Sequence, residues 1–97
     1  MKIALEFTYH TDIISVPDDI GKNIKKYQLK FDKWLYDKDI NHGNWIVKNG
    51  KKFAVSFDTK TFVDYLNNVH LCNMSEKAII IQENAQQIAK DVPALFF

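Results

Sequence analysis

Residues 20–35 read IGKNIKKYQLKFDKWL, and a helical period of 3.6 residues sorts their side chains into two faces of opposite character. The apolar face holds Ile20, Ile24, Tyr27, Phe31, Trp34 and Leu35. The other face holds Lys22, Lys25, Lys26, Leu29, Lys30, Lys33 and Tyr36. Because an apolar stripe of this kind packs against a sheet or another helix, the sequence predicts a helix from about Ile20 to Tyr36 with a cationic outer face.

The residues before this helix alternate between the two sides of an extended chain. One side carries Ile3, Leu5, Phe7 and Tyr9, and the other carries Ala4, Glu6, Thr8 and His10. The alternation predicts a half-buried strand from Lys2 to about His10. Asp12–Val16 either extends this strand or returns beside it as a short hairpin. Pro17, followed by two aspartates, favours the start of the helix.

Five further elements follow the helix, and the first two form a hairpin. Asn49-Gly50 separates two apolar runs, Trp45–Lys48 and Lys52–Phe57, and predicts a hairpin with a type I′ turn. Asp58 is placed to cap a second helix, Thr59 to about Val69, whose Phe62, Leu66 and Val69 have helical spacing. Ala78–Ile81 is expected to be a short strand buried on both sides. Glu83–Asp91 is expected to form a last short helix that Pro93 stops.

The resulting order of strand, helix, strand, strand, helix, strand resembles the split βαβ arrangement of ferredoxin-like domains. The resemblance implies an α+β fold with an antiparallel sheet, two helices on one sheet face, and a short C-terminal helix or tail. A chain of 97 residues has room for one hydrophobic core, so residues 1–97 are expected to form a single domain. Fold alone does not fix function, because unrelated activities share this architecture.

In such a fold the two helices would cover one face of the sheet, at which Ile3, Leu5, Phe7, Trp45, Val47, Phe53, Val55 and Phe57 would point. The second face of the sheet would be small and mixed in character. It would present Ala4, Glu6, Thr8, Ile46, Lys48, Lys52, Ala54 and Ser56. We expect it to be covered either by the chain's own tail or by the same face of a second copy. The tail is suited to this role because it carries Ile88, Val92, Leu95, Phe96 and Phe97, which are unfavourable in water.

The positive charge of the chain comes from lysine alone. All 13 basic residues are lysine, and the net charge is +1. Proteins most often use the planar guanidinium of arginine to bind phosphate through two hydrogen bonds and to recognise guanine edges. The ammonium group of lysine does not have this geometry. Nucleic-acid binding would therefore lean toward nonspecific, salt-sensitive contact and is kept as an alternative function.

Lys51–Phe57 resembles in part the third strand of RNA-recognition motifs. In that family, aromatic side chains on the open sheet face stack on bases. Here Phe53, Val55 and Phe57 share one face, and Asp58 stands where the motif would end in an aromatic residue. The sequence therefore predicts an amphipathic core strand at this place rather than an RNA-binding sheet.

No motif in the chain predicts catalysis or metal binding. Cys72 is the only cysteine, so an intramolecular disulfide or a thiolate zinc site is excluded, and a cytoplasmic location is expected. The histidines His10, His42 and His70 lack metal-ligand spacing, and we expect neither a cofactor nor a membrane segment. A small enzyme with a dispersed site built from His10, Glu6, His70 and Cys72 is kept as a second alternative.

The leading hypothesis is a non-enzymatic protein-interaction module. Leu29 and Tyr36 lie seven residues apart, close to one line along the helix, and are ringed by lysines. Apolar anchors surrounded by charge are typical of the centre and rim of a contact surface. The sequence therefore predicts a partner protein with an acidic surface. The chain would act as a homodimer, an adaptor, a regulator or an inhibitor.

Overall fold

The computed structural model describes the whole chain, Met1–Phe97, as an α+β fold. In chain order its elements are β1 (Lys2–Glu6), β2 (Thr11–Ser15), α1 (Asp18–Lys22), α2 (Ile24–Leu35), β3 (Trp45–Lys48), β4 (Lys51–Val55), α3 (Thr59–Tyr65), a π-helical turn (Leu66–His70), β5 (Ile79–Gln82) and β6 (Ala94–Phe96). Two sheets result, one with four strands and one with two.

The four-stranded sheet has the order β5-β2-β1-β6. β1 is antiparallel to β2 and parallel to β6, and β2 is antiparallel to β5. Ile3 is opposite Ile14 in the β1–β2 register, and Leu5 is opposite Leu95 in the β1–β6 register. These side chains are buried against the helices, so the core lies between this sheet face and the apolar stripe of α2.

The ferredoxin-like element order is not confirmed. Of the two alternatives for Asp12–Val16, the structure has the return strand of a hairpin, β2, which occupies the position beside β1. The later β3–β4 hairpin forms a separate two-stranded sheet. The physical reason is burial, since Asp12, Ile13 and Ile14 are consecutive buried residues and are therefore covered on both faces of the sheet.

The predicted helix is present with its apolar stripe inward. It starts at Asp18, directly after Pro17, and is interrupted at Asn23, where the backbone dihedrals (φ −121°, ψ 29°) are not helical. Ile20, Ile24, Phe31 and Leu35 are buried, and Tyr27 and Trp34 pack against the same core. The interruption separates α1 from α2 but leaves the two faces of the sequence pattern intact.

The turn prediction for the hairpin is confirmed, since Asn49 and Gly50 both have positive φ angles of 54° and 74°. The prediction that its apolar side chains all point at the helices is wrong for Val47 and Phe53, which are exposed. A register shift between Ile46 and Val47 interrupts the alternation of faces. The partly buried residues of the hairpin are Trp45, Lys52, Ala54 and Val55.

The second predicted helix is confirmed at its start. Asp58 accepts a hydrogen bond from the Thr61 backbone N–H, and the Thr61 hydroxyl accepts one from the Asp58 backbone N–H, which makes a capping box. The last turn is π-helical rather than α-helical, with Leu66 buried and Val69 exposed. A π-turn has a longer period than an α-turn, so Val69 leaves the buried face that α-helical spacing predicts for it.

The predicted helix over Glu83–Asp91 is wrong. This segment is irregular and carries the chain from β5, at one edge of the sheet, to β6, at the other. The Ala85 backbone N–H donates to the Thr11 carbonyl, and the Ala4 N–H donates to the Pro93 carbonyl. These bonds connect the segment to both strands of the β1–β2 hairpin. The chain therefore runs in an irregular path toward β6, which pairs with β1, and does not form the expected helix.

The same segment explains how the second sheet face is covered. Ala4 and Ile13 face away from the helices, yet both are buried. Ile88 and Val92 of the crossing segment are half-buried. The expectation for the rest of the tail is wrong, since Leu95 belongs to the core between the sheet and the helices, Phe97 packs against that core, and Phe96 is exposed. Of the five expected tail residues, only Ile88 and Val92 are left to cover this face. The expectation that Ala78–Ile81 is buried on both sides is wrong at Ile79 and Ile81, because β5 is an edge strand that the cover leaves exposed.

The two adjacent residues of β6 give a matched test of this arrangement. Leu95 is 1% exposed and Phe96 is 70% exposed. We expect Leu95→Ala to lower the free energy of unfolding by about 2 to 5 kcal/mol because it leaves a cavity in the core. Phe96→Ala should change it by less than about 0.5 kcal/mol. Urea unfolding followed by circular dichroism measures both, and equal effects would contradict the strand assignment.

Candidate protein-interaction surface

The outward side of α1 and α2 carries a continuous basic surface, which we call the lysine face. It consists of Lys22, Lys25, Lys26, Leu29, Lys30, Lys33 and Tyr36, all of which are exposed. The two apolar members are unusually open, with Leu29 64% and Tyr36 59% exposed. The structure thus brings together in one surface every residue that the sequence pattern assigned to partner binding.

The ammonium groups of the lysine face have no anionic partner within the chain. The ion pairs of the molecule join the N-terminal amine to Asp18 and Lys60 to Asp64, and His10 Nε2 lies 3.3 Å from Asp12 Oδ2. Only Lys30 has an intramolecular contact, with its Nζ atom 5.5 Å from the centre of the Tyr27 ring. Five solvated positive charges therefore share this side of the helices with Leu29 and Tyr36, without local compensation.

The helix that carries this surface is held on its buried side by core packing and at its C-terminal end by His42. His42 Nε2 lies 2.7 Å from the Leu35 carbonyl, and the Asn44 backbone N–H donates to His42 Nδ1 over 3.2 Å. Since Nδ1 accepts, Nε2 carries the proton and donates to the last turn of α2. The ring also lies between Trp34 and Trp45, at centroid distances of 4.6 and 5.2 Å.

His42 is a residue whose role the sequence did not reveal. Its position beside Gly43 in a polar loop predicts a solvated turn residue. The structure instead makes it a cap for the C-terminal carbonyls of α2, next to Tyr36. No local signal identifies such a cap, because Trp34 and Trp45 meet His42 only after the hairpin has folded back.

Beside the lysine face, Tyr27 of the apolar stripe contacts a second histidine, His70. The His70 ring is edge-on to the Tyr27 ring at 4.8 Å, and its Nε2 is 2.9 Å from the Tyr65 hydroxyl. Burial lowers the pKa of His70 below 6.5, and the nearby positive charge of Lys30 lowers it further. Burial also raises the pKa of the Tyr65 hydroxyl, so neither group is charged at neutral pH.

Acidic residues border the lysine face without neutralising it. Asp32 is on the same helix, and burial raises the pKa of its carboxyl above the usual value of 3.8. Asp37 accepts a hydrogen bond from the Asp39 backbone N–H, which occupies one of its oxygens locally. Neither carboxylate forms an ion pair with a lysine. The surface thus has a positive centre and a thin acidic border.

A separate polar cluster centres on the buried carboxylate of Asp12. Its Oδ2 accepts from the Thr59 hydroxyl at 2.5 Å and lies 3.3 Å from His10 Nε2. Its Oδ1 accepts from the Asn84 backbone N–H at 2.9 Å. Because both oxygens are engaged, we interpret Asp12 as a clamp that joins β2 to the start of α3 and the end of β5.

The residues of the dispersed-enzyme alternative do not meet. His10 lines an open cavity of about 280 Å³ beside Asp12, whereas Glu6, His70 and Cys72 line neither it nor any other cavity with His10. Cys72 is exposed and His70 is engaged by Tyr65. No group of three or more His, Cys, Asp or Glu side chains is arranged to hold a metal ion.

The hairpin supplies a second basic region that the sequence analysis did not assign to a site. Lys48 Nζ lies 5.7 Å from the centre of the exposed Phe53 ring, and Lys52 Nζ lies 5.3 Å from that of Trp45. Lys51 is also exposed at this tip. The clustering of three lysines around Asn49-Gly50 is the signal that could have identified it.

Comparison with known protein families, with curated proteins and with solved structures gave no match. None of the helices has the length and apolar character that crossing a membrane requires.

The effect of the Lys30 charge on the pKa of His70 gives a test of the charge on the lysine face. We expect Lys30→Gln to raise the pKa of His70 in an NMR titration, because it removes a positive charge that opposes protonation. Lys33→Gln removes the same charge elsewhere on α2 and serves as the control, with His70 unchanged.

The lowered pKa of His70 also makes the free energy of unfolding depend on pH. Since folding lowers the pKa of His70, its contribution to stability is present above pH 6.5 and is lost as the pH falls through the folded-state pKa. Lys30→Gln should reduce this acid-dependent loss in urea unfolding at pH 7.5 and pH 5. A His70 pKa that is the same in the wild type and in Lys30→Gln would show that the lysine does not act on it.

Proposed function

We propose that this protein is a non-enzymatic interaction module of the cytoplasm whose lysine face binds an acidic surface of another protein. It would act as an adaptor, a regulator or an inhibitor. The observation that carries the proposal is the combination of five lysines without ion pairs and two exposed apolar side chains on the same face, Leu29 among the lysines and Tyr36 at the end of α2. Desolvated apolar anchors inside a charged rim are the usual anatomy of a protein contact.

The helical geometry supports a contact along the helix rather than at its end. Seven residues of α-helix rise about 10 Å, so Leu29 and Tyr36 form two anchors on one line, two turns apart. Tyr36 adds a hydroxyl at the rim, where aromatic residues with a polar end are favoured. A partner would therefore present two apolar pockets at this spacing, with carboxylates on both sides.

The use of lysine also bears on the kind of partner. A lysine ammonium is a point charge on a flexible stem and does not grip a carboxylate in two places, as arginine does. Charges of this kind increase the rate of encounter and select acidic surfaces, while most of the affinity comes from the buried anchors. We therefore expect association that slows with added salt but is not abolished by it.

The nonspecific nucleic-acid alternative has less support. It uses the same lysines but gives Leu29 and Tyr36 no role, since phosphate contacts alone supply nonspecific binding. The absence of arginine removes the commonest side chain for specific base contacts. The two functions differ sharply in salt dependence, because release of counterions makes nucleic-acid binding fall by decades over a modest rise in salt.

Replacement of both anchors tests the proposed function. We expect Leu29→Ser with Tyr36→Ser to weaken binding of the acidic partner by roughly tenfold to a hundredfold, since each anchor contributes more than about 1 kcal/mol. The free energy of unfolding should stay within about 0.5 kcal/mol, because both side chains are exposed. Quantitative affinity capture from host extract identifies the protein, and titration calorimetry with the purified pair then measures the affinity.

The matched control replaces two exposed apolar residues of the hairpin, Val47 and Phe53, by serine. This control should retain binding. If the anchor variant captured the same proteins at the same level as the wild type, the proposal would be wrong. Capture of nucleic acid with a steep salt dependence, unaffected by the anchor variant, would establish the alternative instead.

A further inference from the structure

An open cavity of about 320 Å³ lies where several parts of the chain meet. α2 contributes Trp34, the loop before β3 contributes Asn44, α3 contributes Tyr65, and the π-helical turn contributes Asn68 and Val69. No residue of the lysine face lines it. Small-molecule sites have volumes from about 300 Å³ upward, so this cavity has room for a ligand built on a single ring.

The π-helical turn Leu66–His70 coincides with this cavity. Its wider period moves Val69 off the buried face, and Val69 and Asn68 line the cavity instead. Val69 is 48% exposed, and with the rings of Trp34 and Tyr65 it gives the cavity an apolar part. Turns of this type are rare and are frequent at functional sites, so the irregular geometry singles out this cavity among those of the molecule.

Polar groups at the cavity have no hydrogen-bond partner within the chain. The indole N–H of Trp34 donates to no protein atom, and the side-chain amides of Asn44 and Asn68 take part in no internal hydrogen bond. The other indole N–H, that of Trp45, donates to the Ile40 carbonyl over 2.8 Å. Since no fully buried side-chain nitrogen or oxygen lacks a partner, the free groups at the cavity are open to solvent or to a ligand.

The charged groups at the cavity favour a neutral ligand. Lys60 Nζ donates to Asp64 Oδ2 over 2.6 Å, and Asp58 Oδ1 accepts from the Thr61 backbone N–H and hydroxyl. An anion would meet both carboxylates, and a cation would meet the ammonium group of Lys60. Hydroxyl groups avoid both conflicts, because a hydroxyl donates to a carboxylate and accepts from an ammonium group.

We propose that this cavity binds a neutral sugar ring of monosaccharide size. The C–H bonds of the sugar pack against the indole of Trp34, whose π-face carries partial negative charge. Its hydroxyl groups donate to and accept from the amides of Asn44 and Asn68, which offer both an oxygen and an NH₂ group. Because the cavity is open and the ligand is small, the dissociation constant is expected to be about a millimolar.

The site is independent of the proposed function. Its lining shares no residue with the lysine face, and the serine variant of Leu29 and Tyr36 leaves it intact. Sugar binding and capture of the acidic partner are therefore measured separately, and failure of one leaves the other standing.

The two tryptophans give the experiment an internal control. Proton–nitrogen NMR spectra of the full chain contain one assignable indole N–H signal for Trp34 and one for Trp45. The probes are D-glucose, D-galactose, D-mannose, D-ribose and N-acetyl-D-glucosamine, each titrated well above the expected dissociation constant. At least one sugar should shift the Trp34 signal in a saturable way while the Trp45 signal stays in place. Sodium phosphate and tetramethylammonium chloride should shift neither signal at matched ionic strength.

Substitution of the two amides tests the geometry of the site. Asn44→Ala and Asn68→Ala should each weaken sugar binding by roughly threefold to tenfold, since each removes a hydrogen bond to the ligand. Asn73→Ala, at an exposed asparagine outside the cavity, should bind like the wild type. Thermal unfolding of each variant checks that it is folded.

Three results would overturn the proposal. The first is a Trp34 signal that no sugar shifts. The second is a sugar-dependent shift that neither Asn44→Ala nor Asn68→Ala weakens, because the ligand would then bind elsewhere. The third is a saturable shift of Trp34 by phosphate or tetramethylammonium without one by any sugar, because the ligand would then be charged.

Discussion

The packing of Phe31 is the constraint on which the rest of the molecule depends. Its side chain is fully buried, and its ring lies within 5.1 to 6.2 Å, centre to centre, of the rings of Trp34, Phe57, Phe62, Tyr65 and Phe97. These rings come from α2, the end of the hairpin, α3 and the last residue of the chain. Such contacts add to the free energy of burial, so one helical side chain ties four parts of the chain together.

This constraint also determines what α2 presents to solvent. With Phe31 and Leu35 fixed inward, residues on the opposite side of the helix have no route to the core. His42 holds the last turn in place by donating to the Leu35 carbonyl. The positions of Leu29, Tyr36 and the surrounding lysines thus follow from core packing, and a partner would meet a surface that is already ordered. Preordered surfaces lose little conformational entropy on binding.

Sequence patterns predicted the parts of the fold that depend on interactions between residues close together in the chain. The two faces of α2, the Asn49-Gly50 turn and the Asp58 cap each depend on residues close in sequence. The β1–β2 hairpin, also local, was one of the two alternatives for Asp12–Val16. The pairing of β1 with β6 and of β2 with β5 joins distant segments, so it was not predictable from periodicity. The exposure of the lysine face was predicted for the same local reason, whereas the roles of His42 and His70 arise only where distant elements meet.

Hydroxyl-radical footprinting of the native protein, read by mass spectrometry, tests most directly whether Phe31 faces a core and Tyr36 faces solvent. The two rings lie on one helix, and both are reactive toward the radical when exposed. The account predicts slow labelling of Phe31, at a rate that rises only on unfolding, beside fast labelling of Tyr36 in the native state. Labelling of Phe31 at the same rate as Tyr36 before unfolding would contradict it.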